Sequence, residues 1–301
     1  MKQILMKNKI TADLYMHLAL KARHFQFKYF YIATIKRDFR KSLGYELNLD
    51  NPKTFNEKIQ WLKIYYREPM MPIYADKYAV REIIKEKWGE EYLNELYGVY
   101  DNASEIDFNE LPERFVLKPT HSSGRIIICT NKNKLNYKKT YKTMKRWLKE
   151  NYFYQGGEWV YKNIPPRIIC EKLIEENIVD YKVYCFNGRA LYTQVITNRN
   201  GNNFNVNYFD LQWRPIEVKR LDHKPNPTEI ARPYNYDKMI YFSEMIAKDY
   251  PFIRMDYYEV EKKLYFGEVT FFPANGFIKF SSKEEDEKWG KYLKLPMERC
   301  G

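Results

Sequence analysis

Apolar positions along this chain gather into short runs broken by polar turns, and most of the runs read as strands. Residues 115–117 and 126–129 are apolar on either side of a loop of lysine, hydroxyl residues, one glycine and an arginine, a strand–loop–strand pattern. Residues 168–174 and 179–188 read as buried strands that nonetheless carry charge, at Glu171, Lys172, Asp180 and Lys182. Near the C-terminus, residues 252–260 and 264–272 read as two strands across a turn centred on Lys262, which sets Asp256 opposite Glu268. Helical spacing appears at 75–85, where Asp76 is placed to cap an amphipathic helix, and over 1–42, where Leu14, Leu20, Phe25, Tyr29 and Ile32 recur at near-helical intervals. The polar stretch 198–205 reads as a mobile loop above a site, from which Arg199 would close onto a phosphate.

Opposed carboxylates on one sheet face repel unless a cation lies between them. Asp256 and Glu268 therefore suggest Mg²⁺, which takes one or two protein carboxylates and completes its shell with water and phosphate oxygens. The plainer reading is a solvated hairpin, and the sequence upstream shifts the balance. Lys118 followed by Thr120-His121-Ser122-Ser123-Gly124-Arg125 makes an anion cradle of hydroxyls, free N–H groups and positive charge. An ordinary hairpin loop with an incidental lysine is the alternative. Lys77, in the first turn of the expected helix, opposes the helix dipole unless it meets a bound phosphate. Glu171 and Lys172 at a strand end suit a planar polar base, against the alternative of an edge strand with its charges in water.

In this order, Asp76-Lys77, Leu117-Lys118-Pro119, Glu171-Lys172-Leu173, Arg254-x-Asp256 and Glu268-x-Thr270 resemble the ATP-grasp fold, with a layout similar to D-alanine:D-alanine ligase. The chain is more closely similar to the TupA-like ATP-grasp family of teichuronopeptide and surface-polysaccharide biosynthesis. That likeness rests on residues 54–61 (TFNEKIQW), Ala75-Asp76-Lys77-Tyr78, residues 117–124, Asp180-Tyr181-Lys182 with Phe186-Asn187-Gly188, and residues 266–273, and it covers roughly residues 40–297. It implies an α+β fold in which two α+β subdomains grip ATP, with an N-terminal helical segment. The expected divisions are a basic helical segment at 1–50, a helical region at 51–112, a subdomain with the phosphate loop at 113–166 and a metal-bearing subdomain at 167–301.

The resemblance also implies roles. Lys77 and Lys118 would hold the ATP phosphates beneath the loop of Thr120, Ser122, Ser123 and Gly124. Glu171, Lys172 and Leu173 would meet adenine, with Asp180 on the ribose and Lys182 in the same nucleotide-binding set. Asp256 and Glu268 would bind Mg²⁺, and Arg254 would stabilise the transferring phosphoryl group alongside Lys118. Thr270 stands where many ATP-grasp ligases have asparagine as a third metal ligand, so Asn275 or water would substitute. Among the four histidines, His17, His24, His121 and His223, only His121 lies in the phosphate loop, where it orients phosphate or simply hydrogen-bonds backbone. The implied chemistry is carboxylate activation as an acyl phosphate, then displacement of phosphate by an amine.

Composition narrows the alternatives. No Walker, G-x-G-x-x-G or G-x-S-x-G sequence occurs. A polysaccharide glycosyltransferase is the second reading, weakened by the absence of Asp-x-Asp. Cys129, Cys170, Cys185 and Cys300 lack C-x-x-C spacing and read as buried hydrophobes of a reducing cytoplasm. Neither a secretory signal nor an 18-residue apolar run is evident, so a cytoplasmic location is expected. Of the formal charge of +12, half falls in residues 1–50, with ten Lys/Arg against four acids. That segment either lies on an anionic membrane or packs on the body with a solvated basic face, the latter favoured. Either way the positive field favours an acidic glycan or amino-acid substrate. Nucleic acid is not expected, because recognition motifs are lacking and half the excess charge lies outside the motif-bearing region.

Overall fold

The computed structural model describes residues 9–201 and 203–296, with side chains from Leu18 onward except Asn200. In chain order the elements are α1 (Lys9–Tyr29), α2 (Tyr31–Leu43), α3 (Phe55–Tyr65), α4 (Met71–Ala75), α5 (Val80–Lys87), β1 (Leu96–Tyr100), β2 (Phe115–Pro119), β3 (Ile127–Cys129), α6 (Tyr137–Lys149), α7 (Phe153–Gly156), β4 (Ile168–Lys172), β5 (Asp180–Phe186), β6 (Arg189–Asn200), β7 (Asn203–Asp210), α8 (Tyr236–Ala247), β8 (Phe252–Val260), β9 (Lys263–Thr270) and α9 (Lys283–Gly290). The strands form two antiparallel sheets, ordered β1-β4-β2-β3 and β7-β6-β5-β8-β9. The smaller sheet draws its strands from residues 96–172, across both of the divisions expected near 113 and 167.

Each sheet has its own core. α6 is strongly amphipathic, and its Met144 and Trp147 cover Phe115, Leu117, Ile168 and Cys170 of the smaller sheet. β4 is central there, which is why Glu171 is 6% exposed rather than solvated at an edge. In the larger sheet, strand alternation separates two faces. Val183, Met255 and Tyr257 point to the core under α8, where Ser243 meets the Tyr257 hydroxyl at 2.9 Å. Asp180, Lys182, Arg254 and Asp256 stand in register on the other face. Cys129, Cys170 and Cys185 are buried free thiols, whereas Cys300 lies outside the described residues.

α3 ties distant parts of the chain together, which gives the 54–61 motif its physical meaning. Thr54 and Glu57 form a reciprocal capping box. Asn56, fully buried, bonds Ile278 O at 2.9 Å, Ile278 N at 2.9 Å and Asp286 Oδ2 at 2.6 Å. Lys58 donates to Gly290 O and Leu293 O, and Gln60 to Asn275 O and Gly276 O. Asn56→Ala strands Ile278 N and O away from water, while Asp286 keeps the Asn56 backbone N–H and the Tyr45 hydroxyl, and we expect it to cost about 2–4 kcal/mol in urea unfolding. A loss below about 1 kcal/mol would show that this polar tie is redundant.

Two expectations are corrected. The helix does not open at Asp76 but at Val80. Asp76 instead ends α4, its Oδ1 accepting from Tyr78 N at 2.9 Å and its Oδ2 from Arg167 at 3.2 Å, so a side-chain turn competes with helix initiation. Lys77 consequently sits in the turn, not in a helical first turn. The stretch 198–205 is not a free loop: β6 and β7 continue through it as a hairpin, with Gly201 at φ +61°.

Candidate active site

The β8–β9 hairpin turns at Glu261 and Lys262, both with positive φ, and such a two-residue turn pairs Val260 with Lys263. Left alone, this register would not bring Asp256 opposite Glu268. A bulge at Gly267 adds the missing residue and restores the pair, together with Met255–Val269 and Arg254–Thr270. Glycine is required there, since a Cβ would stand 2.9 Å from the Asp256 carbonyl oxygen. The expected Asp256–Glu268 opposition is therefore present, set by the bulge rather than by the turn.

Cations converge on these acids. Arg254 grips Asp256 with Nε and Nη2, each at 2.7 Å, while Nη2 also reaches Thr270 Oγ1 at 3.1 Å and Glu268 Oε1 at 3.7 Å. Lys182 contacts Asp256 directly and Asp180 at 2.8 Å. Lys77 donates to Glu268 Oε2 at 3.1 Å and to Ser122 O at 2.6 Å, so one ammonium joins the larger sheet to the loop of the smaller one. Burial alone would raise the Glu268 carboxyl, but Lys77, Lys182 and Arg254 outweigh it and hold it at about 2. Burial likewise opposes a charged Lys182, and Asp180 and Asp256 overcome it and raise its pKa.

A second charged group lies at the smaller sheet. Lys118 Nζ and Arg81 Nη1 each meet one oxygen of Glu171 at 2.9 Å, and Arg81 also donates to Asn94 O at 2.6 Å. The same two segments border both groups, because the Lys77 N–H bonds Thr120 O and Arg81 follows Lys77 by four residues. Sequence reading missed Arg81, although that spacing was the available signal.

The remaining candidates divide. Thr120 and Ser122 are buried in the loop, Ser122 Oγ without a partner among the described residues, while Gly124 turns at φ +70° with open space around it. Asp180 is 5% exposed and its Oδ1 has no partner among the described residues; Arg199 approaches its other oxygen at 3.4 Å. Leu173 is buried beside Glu171, but Lys172 points outward to Glu95 at 3.3 Å. His121 is turned onto α6: Nε2 donates to Trp147 O at 2.9 Å, and burial lowers its pKa. Asn275 Oδ1 is taken by Lys63 at 2.6 Å.

The donor set at Asp256, Glu268 and Thr270 is all oxygen and of the hardness that Mg²⁺ takes. Among the described residues no cluster of three or more His, Cys, Asp or Glu could hold a metal unaided. The orphaned Ser122 Oγ and Asp180 Oδ1 in turn fit a polar ligand spanning the two charged groups.

A family profile described as TupA-like ATP-grasp matches residues 57–294. No curated protein matches the chain significantly. Among solved structures, similarity is found to D-alanine–D-alanine ligase from Bacillus anthracis complexed with ATP, at 16% identity over 67% of this chain and 57% of that one, TM-score 0.41. L-amino acid ligase from Bacillus licheniformis gives 12% identity over 90% of this chain and 57% of that one, TM-score 0.44. D-alanine–D-alanine ligase from Helicobacter pylori gives 14% identity over 79% and 69%, TM-score 0.40. The chain thus spans little more than half the length of the first two ligases.

Proposed function

The chain belongs to the TupA-like ATP-grasp family, and on that premise we propose that it is an ATP- and Mg²⁺-dependent carboxylate–amine ligase of surface-polysaccharide or related polymer synthesis, working in the cytoplasm. The observation that carries the reading is the convergence of Lys77, Lys182 and Arg254 on Asp256 and Glu268 of the larger sheet, with Lys77 also bonding the loop of the smaller one. Family membership favours it over the glycosyltransferase alternative.

In this reading Lys77 and Lys118 exchange their carboxylate partners for phosphate oxygens, and the Thr120–Gly124 backbone covers them. Asp180 takes the ribose, while Glu171 and Leu173 border the base. Mg²⁺, held by Asp256 and Glu268 beside Thr270, would neutralise phosphate charge. Arg254, fixed by its two bonds to Asp256, presents its guanidinium to charge that grows as the carboxylate oxygen attacks the terminal phosphorus. Positioning and charge then suffice without a protein nucleophile. The net charge of +12 favours an acidic partner, such as a uronic-acid glycan intermediate or an amino acid. Calorimetry with ATP and Mg²⁺, followed by ADP release on a panel of uronic acids and amino acids, tests the reading. Absence of ATP binding would sink it.

The N-terminal helices support a membrane contact. Phe25, Tyr29 and Phe30 are more than half exposed and cluster, with ring centroids 4.9 Å apart for Phe25–Tyr29 and 6.0 Å for Phe25–Phe30. Leu18 shares their face, and residues 14–37 contain no acid but include Lys21, Lys28 and Lys36. Among the described residues no helix is long and apolar enough to cross a membrane, so the contact is peripheral. Phe25→Ser with Phe30→Ser is expected to weaken binding to phosphatidylglycerol vesicles about 10- to 100-fold. Equal sedimentation of the double variant and the native chain would remove the contact.

A further inference from the structure

A cavity with a positive lining opens beside the exposed aromatic cluster of the N-terminal helices. It encloses about 360 Å³ where the end of α1 meets α7 and the turn that follows it, and Tyr31, Phe153 and Trp159 form part of its wall. That volume falls within the range of small-molecule sites, roughly 300–1,000 Å³. Lys28, Arg67 and Lys162 also line it, and among the described residues no acid does.

These three cations are held without being neutralised. Among the described residues they rest on rings and carbonyl groups rather than on carboxylates. Arg67 Cζ lies 4.7 Å from the Trp159 ring centroid, Lys162 Nζ 5.3 Å from that of Phe153, and Lys28 Nζ 5.2 Å from that of Tyr29. Arg67 Nη1 also donates to Lys63 O at 3.1 Å and Tyr66 O at 2.8 Å. Such contacts orient a cation but leave its charge in place. Burial lowers the Arg67 pKa, with the Tyr31 hydroxyl pulling the other way. Glu158 precedes Trp159 in the chain, but it is 6% exposed and does not line the cavity. Three like charges around apolar walls repel one another, and an anion among them relieves that repulsion.

The cavity is continuous with the exposed cluster. Lys28 belongs to both, since it lines the cavity and stands over Tyr29, whose ring lies 4.9 Å from Phe25. Resting on the membrane contact, we propose that this cavity is a headgroup site for one anionic glycerophospholipid. Lys28, Arg67 and Lys162 take the phosphate oxygens, while Phe25 and Phe30 sit among the acyl chains. A phosphodiester offers its oxygens to several cations at once, and the glycerol carbons pack on the rings. A diffuse basic face would draw the helices to any anionic bilayer alike. A walled cavity instead selects the headgroup, and one of this charge disfavours the cationic choline.

Lys28→Gln/Lys162→Gln removes two of the three cations, both on exposed side chains, and Lys21→Gln/Lys36→Gln removes the same charge outside the cavity. Dihexanoyl phosphatidylglycerol, kept as a dispersed monomer, is titrated into each by calorimetry. The native chain and the Lys21→Gln/Lys36→Gln variant are expected to bind one molecule with Kd values within about threefold of each other, whereas the cavity variant should lose about 10- to 100-fold. Dihexanoyl phosphatidylcholine and glycerol 1-phosphate should each bind the native chain at least about tenfold more weakly, the first for its choline and the second for want of acyl chains. An unchanged urea midpoint certifies the fold; should the double variant shift it, Lys28→Gln alone is used and should lose about 5- to 10-fold. Equal losses in the two double variants, or no monomer binding by the native chain, overturn the proposal and leave the vesicle contact intact. Glycerol 1-phosphate bound as tightly as the lipid would make the cavity a soluble-phosphate site and overturn it too. Monomer binding without sedimentation on vesicles removes the bilayer contact and leaves the headgroup site standing.

Discussion

Arg254→Met is expected to destabilise the fold by about 3–5 kcal/mol and to lower ATP turnover by about 10²–10³-fold. The stability loss follows from what the guanidinium leaves behind. Asp256 is 1% exposed, and with both 2.7 Å bonds gone its side chain keeps, among the described residues, only Lys182, itself shared with Asp180. Burial already pushes the Asp256 carboxyl up, and removing its strongest counterweight drives it towards the neutral form. The double variant Arg254→Met/Asp256→Asn removes the stranded charge as well. It should recover part of the stability but none of the turnover, which separates the two roles of the arginine. A chevron or urea titration showing less than about 1 kcal/mol lost in the single variant would mean that Lys182 alone satisfies Asp256.

Glu268→Gln should lower turnover by about 10²–10³-fold and raise the Mg²⁺ concentration that gives half-maximal rate. One of the two acids proposed to hold the ion loses its charge, while Lys77 keeps its bond to Ser122 O and the loop stays attached. The same side chain predicts an acid response. Its pKa falls from an ordinary 4.5 to about 2 on folding, so its contribution is fully present above about pH 4.5 and is lost as pH drops towards 2. That depression corresponds to at most about 3 kcal/mol. Acid titration of stability should therefore be shallower in Glu268→Gln than in the native chain over that window. Parallel titrations would show that the three cations do not stabilise the ionised carboxylate.

The hairpin that carries Arg254, Asp256 and Glu268 illustrates how far the sequence reaches. Apolar runs declared both strands, and the short polar stretch between them declared a turn. The Asp256–Glu268 register was legible only because the turn was taken as centred on Lys262; the actual turn lies between Glu261 and Lys262, which shifts the pairing by one residue, and Gly267 compensates through a bulge. A bulge has no periodic signature, so nothing along the chain announces it. Asp76 shows a similar limit: its residue type signals a cap, but whether it starts α5 or ends α4 depends on Arg167, 91 positions away.

What the sequence determined by itself was local: which stretches alternate, where charge interrupts an apolar run, and the order of lysine, acid and arginine motifs that the family shares. Period and composition are properties of neighbours along the chain, and they survive without the fold. What only the tertiary structure decided was partnership. It turned His121 onto α6 and Asn275 onto Lys63, and brought in Arg81. Ionic and hydrogen-bonding partners are chosen by distances of about 3 Å between residues far apart in sequence. The free energy of a buried charge depends on those distances, and no one-dimensional pattern encodes them.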